Sequence, residues 1–324
     1  MKLSVLDQSV ITAGSTAAAA LQNTVKLARL TEKMGYTRFW TAEHHNANGM
    51  AGSSPEVLIS HIASNTRSIR VGSGGVLLPQ YSPYKVAENF KVLEALFPGR
   101  IDLGIGRSPG GSADTRLALT DGIRKSLNEF PRQVRDLQGY LAGENQTVQA
   151  YPMTSSLPEM WMLGITHRGA RTAAEHGTAF TYGHFINPYN GRRAMAQYRN
   201  DFQPSSLLNQ PKTNVCVFVI CAGSQEKAEE IALSQDAWLL AVEKNRDTRI
   251  PAIEEAGRRI VTGADKEKAK ENRKRMIIGT PQKVRDELLA LSEAYQTEEF
   301  IIIANVHNFE DKITSYSLLA ESLL

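Results

Sequence analysis

The sequence predicts a TIM (β/α)8 barrel, an α/β fold, in one domain spanning residues 1–324. Three observations carry this. The chain repeats one unit: a short apolar run, a polar or glycine-rich end to that run, then a segment with helical periodicity. Eight such runs can be marked, and most are apolar on both faces, as strands of a parallel sheet covered by helices are. A chain of 324 residues that is 42% apolar has the length and the core material for one large barrel.

The first strand is expected at Leu3–Leu6. The second, Arg38–Ala42, runs straight into Glu43, His44 and His45. A buried strand seldom ends in three adjacent titratable groups without a task for them, and in barrels such tasks sit at strand ends. In extended backbone Glu43 and His45 share one face and His44 takes the other. That spacing makes the adjacent histidines a poor metal pair, and no His-x-x-x-His or Cys-x-x-Cys pattern assists them. Proton transfer suits a histidine there, since its ordinary pKa is about 6.5. The other reading is a polar plug bonded to nearby loops.

The third strand, Ile69–Ser73, ends in Gly72-Ser73-Gly74-Gly75. Glycine weakens a strand, so it marks either a tight turn or a flat ligand lying on bare backbone. The fourth, Ile101–Ile105, leads into Gly106, Arg107 and Ser108-Pro109-Gly110-Gly111. Arg107 is either a bidentate phosphate partner or a surface arginine on a loop. The glycine spacing is not that of a Rossmann fingerprint, and a loop follows rather than a prompt helix. The fifth strand, Met160–Leu163, passes through Gly164-Ile165-Thr166-His167-Arg168-Gly169 into a helix whose unpaired N–H groups make an anion seat. The sixth, Thr178–Thr181, is weak and is followed by His184, which either lines the same pocket or serves the structure. Asn214–Cys221 and Phe300–Ala304 complete the set.

Helix starts are marked by Ser54-Pro55, Ser82-Pro83, Asn187-Pro188 and Thr280-Pro281, each a capping side chain before a proline. Helical spacing follows, as in Val57, Leu58, Ile62 and Ala63, or in Val86, Phe90, Leu93 and Leu96. Two insertions break the rhythm, after the fourth and seventh strands. Residues 107–120 are glycine-rich and polar. Residues 241–275 are strongly charged, and read either as a solvated helix or as a lid over the strand ends.

Net charge is +3 with dispersed basic residues, which gives no reason to expect nucleic acid. No apolar run approaches the ~18 residues needed to span a bilayer. The start, Met1 to Asp7, enters a strand without the pattern of a signal peptide. Cys216 and Cys221 fall on opposite faces of one strand and cannot easily bond. A reduced, cytoplasmic protein is the expectation.

Taken together, Gly-Tyr-Thr-Arg-Phe-Trp-Thr-Ala-Glu-His-His (35–45), Arg-Val-Gly-Ser-Gly-Gly-Val-Leu-Leu-Pro (70–79), Gly-Arg-Ile-Asp-Leu-Gly-Ile-Gly-Arg (99–107) and Ile-Gly-Thr-Pro (278–281) resemble the bacterial luciferase-like flavin monooxygenases. The resemblance runs through almost the whole chain and is nearest to the uncharacterised oxidoreductase branch. It implies a barrel that uses reduced FMN and O2 to oxygenate a small organic substrate, with a separate flavin reductase supplying the reduced FMN. It implies a non-proline cis peptide at Gly74-Gly75 beneath the flavin. It places Arg107 and Thr166 at the phosphate; Ser73, Gly106, Gly164, His167, Arg168 and His184, at the same strand ends, are the further candidate cofactor contacts. It gives His44 the catalytic step and Glu43 the place of a carboxylate beside the flavin pocket. The luciferases carry a reactive cysteine where this chain has Gly106, and their mobile loop is only loosely matched by residues 241–275, so aldehyde specificity and light emission are not implied. A deazaflavin-dependent oxidoreductase and a flavin-storage protein are the alternatives. The family's usual homodimer, packed through helices near the second and third strands, would use Val57, Leu58, Ile59 and Ile62; an ordinary barrel helix buried on its own sheet gives the same pattern. No metal is implied, and the substrate is not readable.

Overall fold

The computed structural model describes residues 1–145 and 147–324. The strands are β1 (Lys2–Asp7), β2 (Arg38–Thr41), β3 (Arg70–Val76), β4 (Ile101–Gly106), β5 (Glu159–Gly164), β6 (Ala179–Gly183), β7 (Thr213–Cys221), β8 (Met276–Gly279) and β9 (Glu299–Ile303). The helices are α1 (Ala17–Lys33), α2 (Pro55–Ser64), α3 (Pro83–Leu96), α4 (Ala113–Leu119), α5 (Phe130–Ala142), α6 (His167–Glu175), α7 (Gly191–Asp201), α8 (Gln225–Glu243), α9 (Ile253–Arg259), α10 (Gly263–Arg273), α11 (Pro281–Tyr295) and α12 (Phe309–Leu323). Strands β1 to β7 and β9 pair in parallel around a closed eight-stranded barrel, with β6–β7 closing it.

The predicted barrel and both insertions are present. One strand escaped the sequence reading. Phe218 pairs with Met276 on one side and Ile303 on the other. Strand β8 therefore takes the edge of β7 that β6 leaves after Cys216. Met276–Gly279 is only four residues long and follows directly on the charged run, so its strand character is masked in the sequence.

Alternation along the strands divides the core in two. Inward positions such as Leu6, Trp40, Trp161, Cys216 and Ile301 fill the barrel, with the Trp40 and Trp161 rings edge to face at 5.5 Å. Outward positions such as Val5, Phe39, Val71, Leu103 and Val217 pack under Ile59, Ile62, Phe90 and Leu137 of the helices. Both cysteines are buried free thiols, one in each layer.

The N-terminal end of the barrel is closed by charge. Arg38 Nε donates to Glu299 Oε1 at 2.7 Å, and Arg38 NH1 to Asp102 Oδ2 at 2.8 Å. Trp40 Nε1 donates to Asp102 Oδ2, Arg70 to Asp102 Oδ1, and Ser4 to Glu299. Ions this deeply buried persist only when each is paired.

Helix starts follow the expected chemistry in part. Thr280 caps α11, accepting from Lys283 N, and Thr16 caps α1. Ser54 and Ser82 precede α2 and α3, but their side chains make no capping bond. Asn187-Pro188 does not begin a helix: α7 starts at Gly191, and Asn187 instead accepts from Tyr189 N and donates to Ile165 O. That is an Asx-type turn, which competes with the helix cap for the same side chain.

The charged segment is helical: α10 turns Lys266, Glu267, Lys268, Lys270 and Glu271 to solvent, while its buried Asp265 pairs with Lys244 and Arg273 reaches back to the buried Asp236 of α8 at 2.8 Å. Between α8 and α9 the chain lies on the loop after β2. Asn48 donates to Asp247, Gly49 N donates to Thr248 Oγ1, and Thr12 bridges Ile250. A Cβ on Gly49 would lie 1.9 Å from Thr248 O, so only glycine permits this approach. No helix among the described residues is long and apolar enough to cross a membrane.

Candidate active site

The C-terminal ends of the strands surround a cavity of about 660 Å³. Its walls are mainly apolar, and include Leu6, Trp40, Leu77, Leu163, Phe185 and Ile301. Strand ends converge there because parallel strands all point the same way out of the barrel.

The loop after β2 supplies the acid–base groups. Glu43 and His45 do share a face: His45 Nε2 and Glu43 Oε1 are 2.6 Å apart. Tyr81 Oη donates to the same carboxylate oxygen at 2.5 Å, and Leu77 N donates to Oε2 at 2.8 Å. Burial and this carboxylate push the Tyr81 phenol well above its ordinary range, so it stays a donor. Both oxygens of Glu43 are thus engaged in holding neighbours. His44 is different. Its Nδ1 is buried with no partner among the described residues, and burial, then the neighbouring His45, lower its pKa to about 4. His44 is neutral at pH 7.

The third strand supplies bare backbone. The Gly74–Gly75 peptide is cis, as the resemblance implied. A Cβ on Gly74 would lie 2.6 Å from Leu6 Cδ1, and one on Gly75 would lie 2.6 Å from Gly104 O. Backbone crowding therefore demands glycine at Gly75, while at Gly74 the end of the Leu6 side chain would have to move aside. At Gly106 the nearest atom to a Cβ is 4.0 Å away, so this glycine faces open space.

An anion seat forms where β4 and β5 end. Thr166 caps α6, accepting from Gly169 N at 3.2 Å, and its hydroxyl proton is left to donate outward. Among the described residues Arg107 spends only Nε, donating to Leu127 O at 3.1 Å. Arg168 lies on the same rim. A helix N-terminus with two guanidinium groups beside it is a place for phosphate.

Among the residues singled out from the sequence, Glu43, His44, Gly74, Gly75, Gly106, Arg107, Gly164, Thr166 and Arg168 line this one cavity. Three do not. Ser73 points away from it, because strand alternation separates it from Gly74, and its hydroxyl donates to Gly104 O at 2.8 Å. His167 is outside the lining. His184 is 7% exposed and bonds Tyr295 Oη through Nδ1 at 2.8 Å, with its pKa lowered to about 4 by burial. That is a structural histidine. Sequence reasoning passed over Tyr81 and Gln8, which follows β1 and also lines the cavity. The run Asp7-Gln8-Ser9 is a polar strand end like Glu43-His44-His45, and the same rule would have marked it.

The cavity fits a flat cofactor with a phosphate. It has a backbone wall at Gly74–Gly75, space over Gly106, the Arg107 and Arg168 guanidinium groups and the Thr166 hydroxyl in its lining, and an imidazole nitrogen without a partner among the described residues. Among the described residues no cluster of three metal-ligating side chains occurs.

Comparison with known proteins bears on the family and the fold. A family model described as luciferase-like monooxygenase matches residues 1–298. The uncharacterized protein YceB of Bacillus subtilis strain 168 is 50% identical over 328 residues, 99% of each chain. The N-acetyl-S-alkylcysteine monooxygenase of the same organism is 35% identical, covering 100% of this chain and 98% of its own. The solved structure of apo-MsnO8 superposes with a TM-score of 0.94 at 37% identity, over 100% of this chain and 99% of that one. Two remoter structures share the fold alone. One is the oxygenating constituent of a Pseudomonas putida 3,6-diketocamphane monooxygenase in complex with FMN (17%, TM-score 0.75, over 100% of this chain and 97% of that one). The other is an F420-dependent secondary alcohol dehydrogenase (13%, TM-score 0.74, over 100% and 99%). With a matching family model over most of its length and full-length relatives named monooxygenases, this chain belongs to the luciferase-like monooxygenase family.

Proposed function

We propose that this monooxygenase is FMN-dependent and oxygenates a small organic substrate. Bound reduced FMN would supply two electrons to O2, so that one oxygen atom enters the substrate and the other leaves as water. The observation that carries the reading is the phosphate seat of Arg107, Thr166 and the α6 N-terminus beside a glycine-walled apolar cavity. Arg107 and Arg168 would grip the phosphate, and the Thr166 hydroxyl would donate to it. Leu6, Trp40, Leu163 and Ile301 exclude water from the reacting end. Glu43 holds Tyr81, His45 and the Leu77 amide in place. His44, neutral and unpartnered at Nδ1, is the group placed to accept or return a proton.

A deazaflavin with a longer acidic tail needs more cations at the mouth, and the lining offers only Arg107 and Arg168 as such. Titration with FMN and with a deazaflavin separates the two readings. Tight FMN binding, with O2 consumed when reduced FMN is supplied, supports the proposal. Preference for the deazaflavin, or FMN binding without oxygen consumption, counts against it.

A separate reductase is the proposed source of reduced FMN. We also propose a homodimer through α2 and α3. Leu58, Ile59 and Ile62 are buried in the chain's own core, but Val57, Val92 and Leu96 are 71%, 45% and 60% exposed. Sedimentation showing a monomer at micromolar concentration would end that idea.

A further inference from the structure

Gln8 stands directly after β1 and lines the cavity, yet is only 6% exposed. Its side chain is oriented from behind. Oε1 accepts from Asn305 Nδ2 at 2.6 Å, and the backbone N of Asn305 donates to Gln235 Oε1 on α8 at 3.0 Å. Its backbone is fixed on either side. Asp7 accepts from Lys312 at 2.5 Å and from Thr24 at 2.6 Å, while Ala51 N donates to Ser9 O at 2.9 Å. With the Gln8 and Asn305 amides oriented this way, Nε2 makes no hydrogen bond to any described residue, and Gln8 presents a clamped donor to the cavity.

The position of that donor in the barrel matters. Around the closed sheet β1 lies opposite β5, four strands away in either direction. Gln8 therefore faces the phosphate seat from across the mouth. Its neighbours in the lining are Leu6, Trp40, Cys216 and Ile301, each 4% exposed or less. The guanidinium groups of the lining both stand on the far side, at Arg107 and Arg168. A carboxylate buried beside Gln8 would have no cation to pair with, which is strongly unfavourable. An uncharged acceptor would satisfy the amide and lose nothing.

We propose that Gln8 is the polar anchor of the substrate subsite: its clamped amide donates to an uncharged carbonyl or hydroxyl oxygen on an otherwise apolar substrate, and the subsite rejects carboxylates. The assignment rests on the flavin reading only for which half of the mouth remains to the substrate.

The test titrates the whole protein, with and without oxidised FMN, using three probes followed by ligand-observed NMR. They are cyclohexanone, methylenecyclohexane (the same shape without an acceptor) and cyclohexanecarboxylate. The ketone is expected to bind roughly five- to tenfold more tightly than the alkene, with the carboxylate weakest. Gln8→Met should erase the difference and leave the FMN dissociation constant unchanged. Asn305→Leu, which keeps Gln8 but removes its clamp, should reduce the difference. Equal binding of ketone and alkene, no binding of the ketone, tighter binding of the carboxylate, or lost FMN affinity in Gln8→Met would each overturn the assignment. If FMN fails to bind while the ketone preference and its loss in Gln8→Met persist, the flavin reading falls and the assignment of Gln8 stands.

Discussion

Glu43 and Tyr81, 38 residues apart, meet at 2.5 Å, and the same carboxylate oxygen lies 2.6 Å from His45 Nε2. The contact joins the end of β2 to the start of α3 and fixes the wall on which His44 is mounted. Glu43→Gln should keep the shape and leave part of this cluster unpaired. A loss of about 1–3 kcal/mol is expected, read from urea unfolding. An unchanged midpoint would show that Glu43 is not holding the loop.

His44→Ala should separate chemistry from binding. Oxygenation per bound flavin should fall about a hundredfold, the lower range for a lost acid–base group. The FMN dissociation constant should stay within twofold. Single-turnover rates at saturating flavin, set beside equilibrium titration, read the two independently.

Arg107→Ala should weaken FMN by about tenfold or more, since a charged phosphate contact contributes about 1.5–3 kcal/mol. Riboflavin, which lacks the phosphate, should bind wild type and variant alike. Equal losses for both ligands would move Arg107 away from the phosphate.

Glycine positions that look alike in the sequence should respond differently. Gly75→Ala pushes a methyl to 2.6 Å from Gly104 O and should destabilise by about 1–3 kcal/mol. Gly106→Ala meets nothing closer than 4.0 Å and should fold normally. Thermal melting of the two variants reads the contrast.

Acid should weaken the fold through His184. Its native pKa is about 4, against 6.5 for an ordinary histidine, because burial disfavours the charged form. The stabilisation is complete above pH 6.5 and is lost as pH falls toward 4, where the unfolded chain binds the extra proton. The expected slope is up to about 1.4 kcal/mol per pH unit within that window. His184→Gln should flatten the difference in urea midpoint between pH 7 and pH 5. His44, shifted the same way, keeps some slope in the variant.

The parts of the site that were legible lie at strand ends where alternation and glycine do unusual things. Glu43 and His45 had to share a face once β2 was extended, and Gly74, Gly75 and Gly106 stood where a side chain would be expected. Tyr81 was not legible, because it reaches Glu43 from a turn distant in sequence and nothing local marks that contact. Met276–Gly279 was hidden by the basic residues before it, since its strand character comes from pairing with β7 and not from its own pattern. Asn187 carries the same signal as Thr280, and what separates the two is that Asn187 spends its side chain on Tyr189 N and Ile165 O. His184 shows the limit on the other side: titratable chemistry beside a strand end turned out to belong to Tyr295.

Ion pairs around Arg38 make the barrel a blind tube, sealed at one end by Asp102 and Glu299. Everything that enters must return by the door it came through. Molecules bound at this centre therefore share one door, and that constraint is set at the far end of the protein from the chemistry.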